Sequence, residues 1–284
     1  MRRLIKVGVN MKRLMNITPS RSTSVFLTLL PFIILILVYW TASDARLAEN
    51  ANDKLLPSFS QISAAIERMA FTENKRTGEY LFWQDSSASL YRILLGITIS
   101  AAVGLIFGLF NGLLPVLRSG LSPLITIISL IPPMAILPIL FITFGLDELA
   151  KVMLIIIGTA PVIMRDMQAQ VQQIPSEQLI KAQTLGASTW LVAIRVVLPQ
   201  IMPKLLASMR LSLGAAWLFL IAAEAIAAQE GLGYRIFLVR RYMAMDVILP
   251  YVAAITFFAF TMDFSLKKIS QICFPWYHQQ ESGK

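Results

Sequence analysis

Few side chains in this sequence could carry out catalysis or bind a metal ion. Cys273 is the single cysteine and His278 the single histidine among 284 residues. One chain therefore cannot form a disulfide or a multi-cysteine metal site, and no histidine-based metal or catalytic cluster is expected. The sequence Gly231-Leu232-Gly233-Tyr234 indicates a turn, but no phosphate-loop motif follows it. We expect no catalytic residue, no metal ion and no cofactor in this chain.

Glu224 stands out among the ionisable residues because it lies within an apolar run, 211–228. A carboxylate inside a membrane-spanning helix is costly, so its presence by default indicates a functional role. We therefore name Glu224 as a candidate for lining a solute path. The alternative is that Glu224 lies near the outer end of its helix and is simply hydrated.

Residues 174–199 form the longest polar interruption in the second half of the chain. Apolar residues recur there on one helical face, with Ser176 as a suitable N-cap and Gly186 as a suitable helix stop. A second helical piece, 188–197, is expected to end at Leu198-Pro199. Two short helices hinged at a glycine predict a docking element held at a membrane surface. An amphipathic surface loop without a partner is the alternative.

The composition predicts that lipid surrounds most of the chain. Hydrophobic residues make up 56% and charged residues only 14%, whereas soluble domains carry about 25% charged residues. We predict an all-α polytopic membrane protein with six transmembrane helices. They cover residues 25–42, 93–117, 121–144, 149–164, 211–228 and 247–266.

The distribution of basic residues predicts the orientation of these helices. Residues 1–24 are basic and contain no acidic residue, and the net charge of the whole chain is +9. With a cytoplasmic N-terminus, 15 of the 25 basic residues fall in cytoplasmic segments, as the positive-inside rule requires. The polar segment 43–88 then lies outside, with an amphipathic helix after Pro57 or a plain solvated loop. The tail 269–284 is cytoplasmic, and the basic loop 229–246 departs from the rule.

This explanation of the positive charge leaves no reason to expect nucleic-acid binding, because no basic stripe is interleaved with exposed aromatic residues. The lipid membrane is the expected surrounding of the chain. Cytoplasmic placement of 174–199 would let its helices dock on a partner there.

Small residues recur at every fourth position of the second predicted helix. They are Gly96, Ser100, Gly104, Gly108 and Gly112. Lipid supplies no hydrophobic force between helices, so close backbone packing over small residues drives their association. This face is expected to pack against another helix of the bundle, or against a second subunit.

Prolines interrupt the third predicted helix. The central ones are Pro132, Pro133 and Pro138, and Met134 lies among them. Proline removes a backbone donor, and such breaks persist at membrane depth only where protein or water satisfies the freed carbonyls. These four residues are therefore candidates for lining a solute path. A structural kink without solute contact is the alternative.

Residues 182–199 resemble the EAA loop of the permease subunits of ABC importers. That family has E-A-A-x3-G-x9-I-x-L-P, and this sequence keeps Ala182, Gly186 and Leu198-Pro199 with Val196 for Ile. It departs at Ile180 and Lys181, where the family has Glu and Ala. Further stretches are similar to the nitrate, sulfonate and taurine branch of the family. They are Leu56-Pro57-Ser58, Ser89-Leu90-x-Arg92-x3-Gly96, Ile131-Pro132-Pro133-x4-Pro138, Phe144-Gly145, and Ala223-Glu224 followed by Gly231-Leu232-Gly233-Tyr234.

The resemblance implies a type I, MetI-like permease core over residues 89–268 in a bacterial inner membrane. It implies that two permease copies, here expected to be a homodimer, form one pathway for a small anion such as nitrate, a sulfonate or a phosphonate. Two ATPase subunits would bind below, and a periplasmic solute-binding protein would deliver the solute. ATP hydrolysis would then occur in the partner, so this chain is not expected to be an enzyme.

The resemblance also assigns Ala182, Gly186, Leu198 and Pro199 to the loop that couples to the ATPase. The helix that contains Glu177, Gln178, Lys181 and Leu185 is expected to move with the ATPase as a lever.

Two other functional classes remain open on the sequence alone. A stand-alone secondary transporter tends to contain internal repeats and intramembrane charge pairs, and no repeat is evident here. An intramembrane enzyme needs a nucleophile–base pair or metal ligands at membrane depth. Co-purification of an ATPase subunit would separate the importer from both alternatives.

Overall fold

The computed structural model describes residues 20–50, 53–74 and 78–282, so most of the basic N-terminal segment 1–24 lies outside the described residues. Every regular element in these ranges is helical. The α-helices are α1 (Arg21–Glu49), α2 (Phe59–Ile66), α3 (Leu81–Leu113), α4 (Pro115–Leu130), α5 (Pro133–Phe144), α6 (Glu148–Gln172), α7 (Ser176–Thr184), α8 (Thr189–Val192), α9 (Leu198–Ala227), α10 (Leu232–Arg240), α11 (Met245–Cys273) and α12 (Pro275–Ser282). Two π-helical turns, Glu67–Phe71 and Ala193–Val197, extend α2 and α8.

The chain divides into two compact units, which meet in sequence between Phe59 and Ser60. The first unit contains α1, capped by Ser20, whose side chain accepts a hydrogen bond from the N–H of Thr23. Near the other end of α1, the hydroxyls of Tyr39 and Ser43 donate to the carbonyls of Pro57 and Leu56 at 2.6 and 3.0 Å. These bonds fold the segment after α1 back along the helix.

In the second unit, α3 and α6 lie side by side and run in the same direction. Each glycine on this face of α3 lies against the α6 residue 59 positions later in the sequence, which is why the two helices must be parallel. The pairs are Gly96 with Ile155, Gly104 with Ile163, Gly108 with Met167 and Gly112 with Val171. A Cβ atom at Gly96 would lie 2.7 Å from Ile155 Cγ2. Ser100 lies on the same face and accepts a hydrogen bond from Thr159 at 2.8 Å. The small-residue face of α3 is therefore filled by α6 of the same chain.

α9 packs antiparallel to this pair. Near its start Ile201 shares a buried cluster with Leu109 and Val171, and near its end Phe219 lies over Gly158. α11 runs antiparallel to α9, since Arg210 of α9 binds Asp263 of α11 at 2.8 and 2.9 Å, while the α11 residue Tyr251 packs near Leu220 of α9. The core lies between α3, α6, α9 and α11.

α4 and α5 form a broken helix bent by 81° at Ile131-Pro132. Because α3 and α6 are parallel, the chain between them must reverse direction once, and α4 and α5 together make that return. Four helices among the described residues are long and apolar enough to span a membrane, and this bent pair makes a possible fifth.

Several helix boundaries differ from the predicted ones because hydropathy marks only the apolar part of a helix. α3 begins at Leu81 rather than 93, α6 continues to Gln172 rather than 164, and α11 continues to Cys273 rather than 266. The helical piece expected to end at Leu198-Pro199 instead continues into α9. Pro199 directly follows the π-helical turn Ala193–Val197, and the backbone stays helical through it into α9. The loop 229–246 contains α10, and the tail contains α12.

The α3–α6 contact predicts opposite effects for two glycine-to-alanine substitutions. A Cβ atom at Gly104 would lie 2.8 Å from Ile163 Cβ, so Gly104→Ala must push the helices apart, at a cost of about 1–3 kcal/mol. A Cβ atom at Gly120 in α4 meets nothing within 4 Å, so Gly120→Ala should stabilise the protein by about 0.5–1 kcal/mol. Melting temperatures of the two purified variants test this. Equal shifts in the same direction would contradict it.

Candidate functional site

The segment 174–199 forms two short helices joined at a glycine-centred helix stop. Gly186 has φ of +83°, the left-handed region that suits glycine. The N–H of Ala187 donates to the carbonyl of Ala182 at 3.1 Å, and the N–H of Gly186 donates to Gln183 at 2.9 Å. These two bonds are a Schellman motif, in which the residue four positions before the glycine receives the outer bond. The backbone hydrogen bonds of this helix stop therefore explain why Ala182 and Gly186 are four residues apart.

The inner face of this segment packs on the end of the bundle where α3 ends and α9 begins. Leu179, Ala182 and Ala187 contact a buried cluster that includes Leu109, Val171, Ile174 and Val197. Trp190 stacks on Phe110 of α3 at 6.1 Å between ring centroids, and Gln178 Oε1 accepts a hydrogen bond from Gln200 of α9 at 3.2 Å. Leu198 also contacts the cluster. Force on α7 can therefore pass directly to α3, α6 and α9.

The outer face of the segment is exposed and presents several large apolar side chains among polar ones. Leu185 is 88% exposed, Trp190 62% and Ile180 55%. Glu177, Gln178, Lys181, Gly186 and Pro199 are exposed as well. We call the surface formed by Ile180, Leu185, Trp190, Leu191 and Ile194 the foot. An exposed apolar surface of this kind, rimmed by charged residues, is typical of a protein–protein contact.

At the opposite end of the bundle, a cluster of charged residues is buried between helices. Arg92 of α3 is 1% exposed and Glu224 of α9 is 0% exposed, and their Nη1 and Oε1 atoms lie 2.7 Å apart. Arg92 also donates to both carboxylate oxygens of Glu148, the first residue of α6. The carbonyl of Glu230 accepts a further bond at 2.9 Å.

The turn between α9 and α10 closes this cluster with backbone donors. The N–H of Gly233 donates to Glu224 Oε2 at 2.8 Å, and the N–H of Leu232 donates to the Ser89 hydroxyl, which itself donates to Glu224. A Cβ atom at Gly231, where φ is +129°, would lie 2.5 Å from Glu224 Cδ. The two glycines therefore allow the backbone to approach the carboxylate.

A second charge pair lies beside the first. Asp85 of α3 is 0% exposed and accepts bonds from Arg235 of α10 at 2.7 Å and from the Tyr251 hydroxyl of α11 at 3.0 Å. The N–H of Gly231 also donates to Asp85 at 2.9 Å. The cluster thus ties α3, α6, α9, α10 and α11 together.

The structure places the path candidates in two different surroundings. Glu224 is enclosed by Arg92, Ser89 and Gly233, with no exposed surface. Pro132, Met134 and Pro138 lie on the exposed side of the α4–α5 break, and Pro133 is half-buried as the first residue of α5. That these residues line a path stays a prediction.

Sequence reasoning missed Asp85, Glu148, Lys151, Arg235 and Tyr251. Lys151 is 3% exposed and donates to Glu148 at 2.7 Å. The sequence did contain one indication of these residues, because Arg92 and Lys151 stand in apolar runs. A buried cation needs an acidic partner, so a search for nearby acids was justified.

The sequence and fold of this chain are similar to those of known transport proteins. Residues 88–276 match the family described as binding-protein-dependent transport system inner membrane component. The chain belongs to this family. The permease is 33% identical to the taurine transport system permease protein TauC of Escherichia coli (strain K12) over 257 residues, which cover 90% of this chain and 91% of TauC. It is 30% identical to the putative aliphatic sulfonates transport permease protein SsuC of the same organism, covering 75% of this chain and 81% of SsuC.

A solved structure shares the fold of the permease. A chain of the MetNI methionine ABC transporter in an inward-facing conformation aligns with a TM-score of 0.54 at 20% identity, covering 64% of this chain and 93% of that chain. The predictions of an all-helical polytopic membrane protein and of an ABC importer permease are confirmed. The permease is thus an inner-membrane component, and ATP hydrolysis takes place in a separate subunit.

Proposed function

We propose that this permease carries a small sulfonate or a related oxyanion into the cell. The observation that supports the solute class is the 33% identity with TauC over nine tenths of both chains. A periplasmic solute-binding protein would deliver the solute, and two ATPase subunits would drive its transport. The test is uptake of radiolabelled taurine and alkanesulfonates by proteoliposomes that contain the permease, its ATPase and its binding protein.

The proposed topology has six spans, with both termini in the cytoplasm. α6 would be the sixth span besides α1, α3, the bent pair, α9 and α11. Its 25 residues reach about 37 Å, longer than the roughly 30 Å hydrocarbon core. α6 tolerates polar residues on the side that other helices cover, where Lys151 and Thr159 are buried. In this topology the foot faces the cytoplasm and the Arg92 cluster faces the periplasm.

A second copy of the permease would complete the pathway. The α4–α5 pair leaves large apolar side chains uncovered, including Ile142 at 86% and Leu130 at 72% exposure. The pathway would lie between the two copies, near Pro132, Pro133, Met134 and Pro138 and the end of α9 that contains Glu224.

The coupling mechanism follows from the continuity of α9. Closure of the ATPase dimer on ATP would move α7 as a lever, with Glu177, Gln178 and Lys181 on its exposed side. The α8 and π-helical turns lead without a break into α9, whose 30 residues extend about 45 Å to the Arg92 cluster. A displacement at the foot would therefore reach the opposite end of the bundle and switch it between two packings.

The foot gives this mechanism a direct test. Leu185→Glu should lower co-purification of the ATPase subunit about tenfold or more, because burial of a leucine contributes about 1.5–3 kcal/mol and a charge opposes it. Since Leu185 is 88% exposed, the melting temperature of the permease alone should not change. Val116→Glu is the matched control, because Val116 is 83% exposed and lies outside 174–199.

Undiminished ATPase capture by Leu185→Glu would remove the foot from the interface. Solute uptake by the permease without any ATPase would instead support the stand-alone secondary transporter.

A further inference from the structure

An apolar groove of 460 Å³ opens on the surface of the second unit, beside the bond between Tyr251 and Asp85, and no residue of the foot lines it. It lies between residues 65–70, the beginning of α3 and the first half of α11. Ile66, Met69, Phe82, Trp83 and Phe258 contribute to its wall. Its volume is in the range of small-molecule sites.

The two polar atoms carried by aromatic residues of the wall are turned into the protein. The Tyr251 hydroxyl donates to Asp85 at 3.0 Å, and Trp83 Nε1 donates to the carbonyl of Ala70 at 3.1 Å. The exposed part of Trp83 that remains for an occupant is therefore its ring, and Tyr251 is almost fully buried. The groove therefore offers water no hydrogen bond from these side chains and favours a hydrocarbon occupant.

A cation lies next to the residues that line the groove, although it is not itself one of them. Arg68 lies between the wall residues Ile66 and Met69, and its contact Asp246 precedes the wall residue Val247. The Arg68 side chain is 64% exposed, and its Nη2 atom lies 3.5 Å from Asp246. A guanidinium has five N–H donors, so a single contact of this length leaves it able to bind a second anion. Its planar fork suits the oxygens of a phosphate.

We propose that this groove binds a membrane phospholipid with an anionic headgroup. One acyl chain lies along the apolar wall, and the phosphate binds Arg68. A protein helix fits less well, because a helix about 10 Å wide occupies roughly 400 Å³ per turn, so the groove would take only one turn. A flexible acyl chain can fill the same volume along its length.

Trp83 makes the proposal measurable, because bromine atoms on an acyl chain quench tryptophan fluorescence on contact. The probe is the full permease with Trp83 as its only tryptophan, after Trp40, Trp190, Trp217 and Trp276 have each been replaced by phenylalanine. It is reconstituted into phosphatidylcholine bilayers that contain a small fraction of either brominated phosphatidylglycerol or brominated phosphatidylcholine. We expect the anionic lipid to quench at a roughly fivefold lower mole fraction, the effect of one arginine near an anionic lipid.

Two variants separate the headgroup contact from the acyl-chain contact. Arg68→Gln should abolish the preference for the anionic lipid, while Lys267→Gln, at the opposite end of α11, should preserve it. Ala254→Leu narrows the groove and should reduce quenching by both lipids. Because Arg68 is exposed, its replacement should not disturb folding, so the preference can be tested even if Ala254→Leu fails to fold.

Three results would overturn the proposal. They are equal quenching of Trp83 by the two lipids, a preference that survives Arg68→Gln, and the absence of quenching. The last result would mean that no acyl chain reaches the groove.

Discussion

Replacing Arg92 by methionine is expected to lower the melting temperature of the permease by about 6–20 °C. The substitution keeps most of the side-chain volume but leaves the carboxylate of Glu224, which is 0% exposed, without its cation. Removal of one partner from a buried ion pair costs about 3–5 kcal/mol. For a unit of about 200 residues, each kcal/mol corresponds to about 2–4 °C. Thermal unfolding of the detergent-solubilised permease, followed by tryptophan fluorescence, measures the shift.

Arg210 provides the matched control for this substitution. It also makes two bonds to one carboxylate across a helix pair, but Arg210 and Asp263 are 31% and 41% exposed. Arg210→Gln should therefore cost at most about 1 kcal/mol, because water replaces the lost contact. Equal shifts for the two variants would mean that burial of the Arg92 cluster has no energetic consequence.

The double variant Arg92→Met, Glu224→Gln tests the reason for the effect. With no charge left buried at this position, it should recover part of the stability lost by Arg92→Met alone. Glu148 needs no such compensation, because its side chain is 53% exposed and can be hydrated. A double variant less stable than Arg92→Met would show that hydrogen bonds to Glu224, rather than its charge, determine the cost.

Features that depend on residues close together in the sequence, such as helix stops and apolar spans, could be predicted from the sequence. Gly186 was expected to end a helix because many helices stop at a residue in the left-handed conformation, which glycine adopts easily. Its φ of +83° agrees with this expectation. Hydropathy located the apolar parts of α1, α3, α9 and α11, since lipid-facing residues dominate them. It placed helix ends poorly because the helices continue through polar residues, which in α3 are buried and paired inside the protein, as Asp85 and Arg92 are.

The charged cluster could not be predicted because its members are distant in the sequence. Arg92 and Glu224 are 132 residues apart, and Asp85 and Arg235 are 150 apart. Hydropathy shows that each charge must be paired if buried, but it does not identify the partner. The pairing depends on the antiparallel contact of α3 with α9, which forms only in the complete bundle. For the same reason Glu224 attracted attention as an isolated acid, whereas the structure surrounds it with donors.

Gly186→Val is expected to reduce ATP-driven uptake at least about tenfold without preventing insertion of the permease. An L-residue in the left-handed region costs about 1–2 kcal/mol, and a β-branched residue is disfavoured there above others. Space is not the problem, because a Cβ atom at Gly186 would meet nothing within 4 Å. The backbone instead leaves the left-handed region, the two bonds to Ala182 and Gln183 are lost, and α7 no longer holds a fixed angle to α8. A loss of about 1.4 kcal/mol in the coupled state corresponds to tenfold.

Two further variants separate backbone geometry from side-chain size. Gly186→Asn should retain most of the uptake, because asparagine tolerates the left-handed conformation. Gly214→Ala should be neutral or stabilising, because this glycine lies within α9 and also has open space around it. The melting temperature of Gly186→Val should stay near that of the parent, since α7 contains no fully buried residue. Normal uptake by Gly186→Val would remove the hinge from the coupling mechanism, whereas equal losses for Asn and Val would assign the effect to side-chain bulk at the ATPase contact.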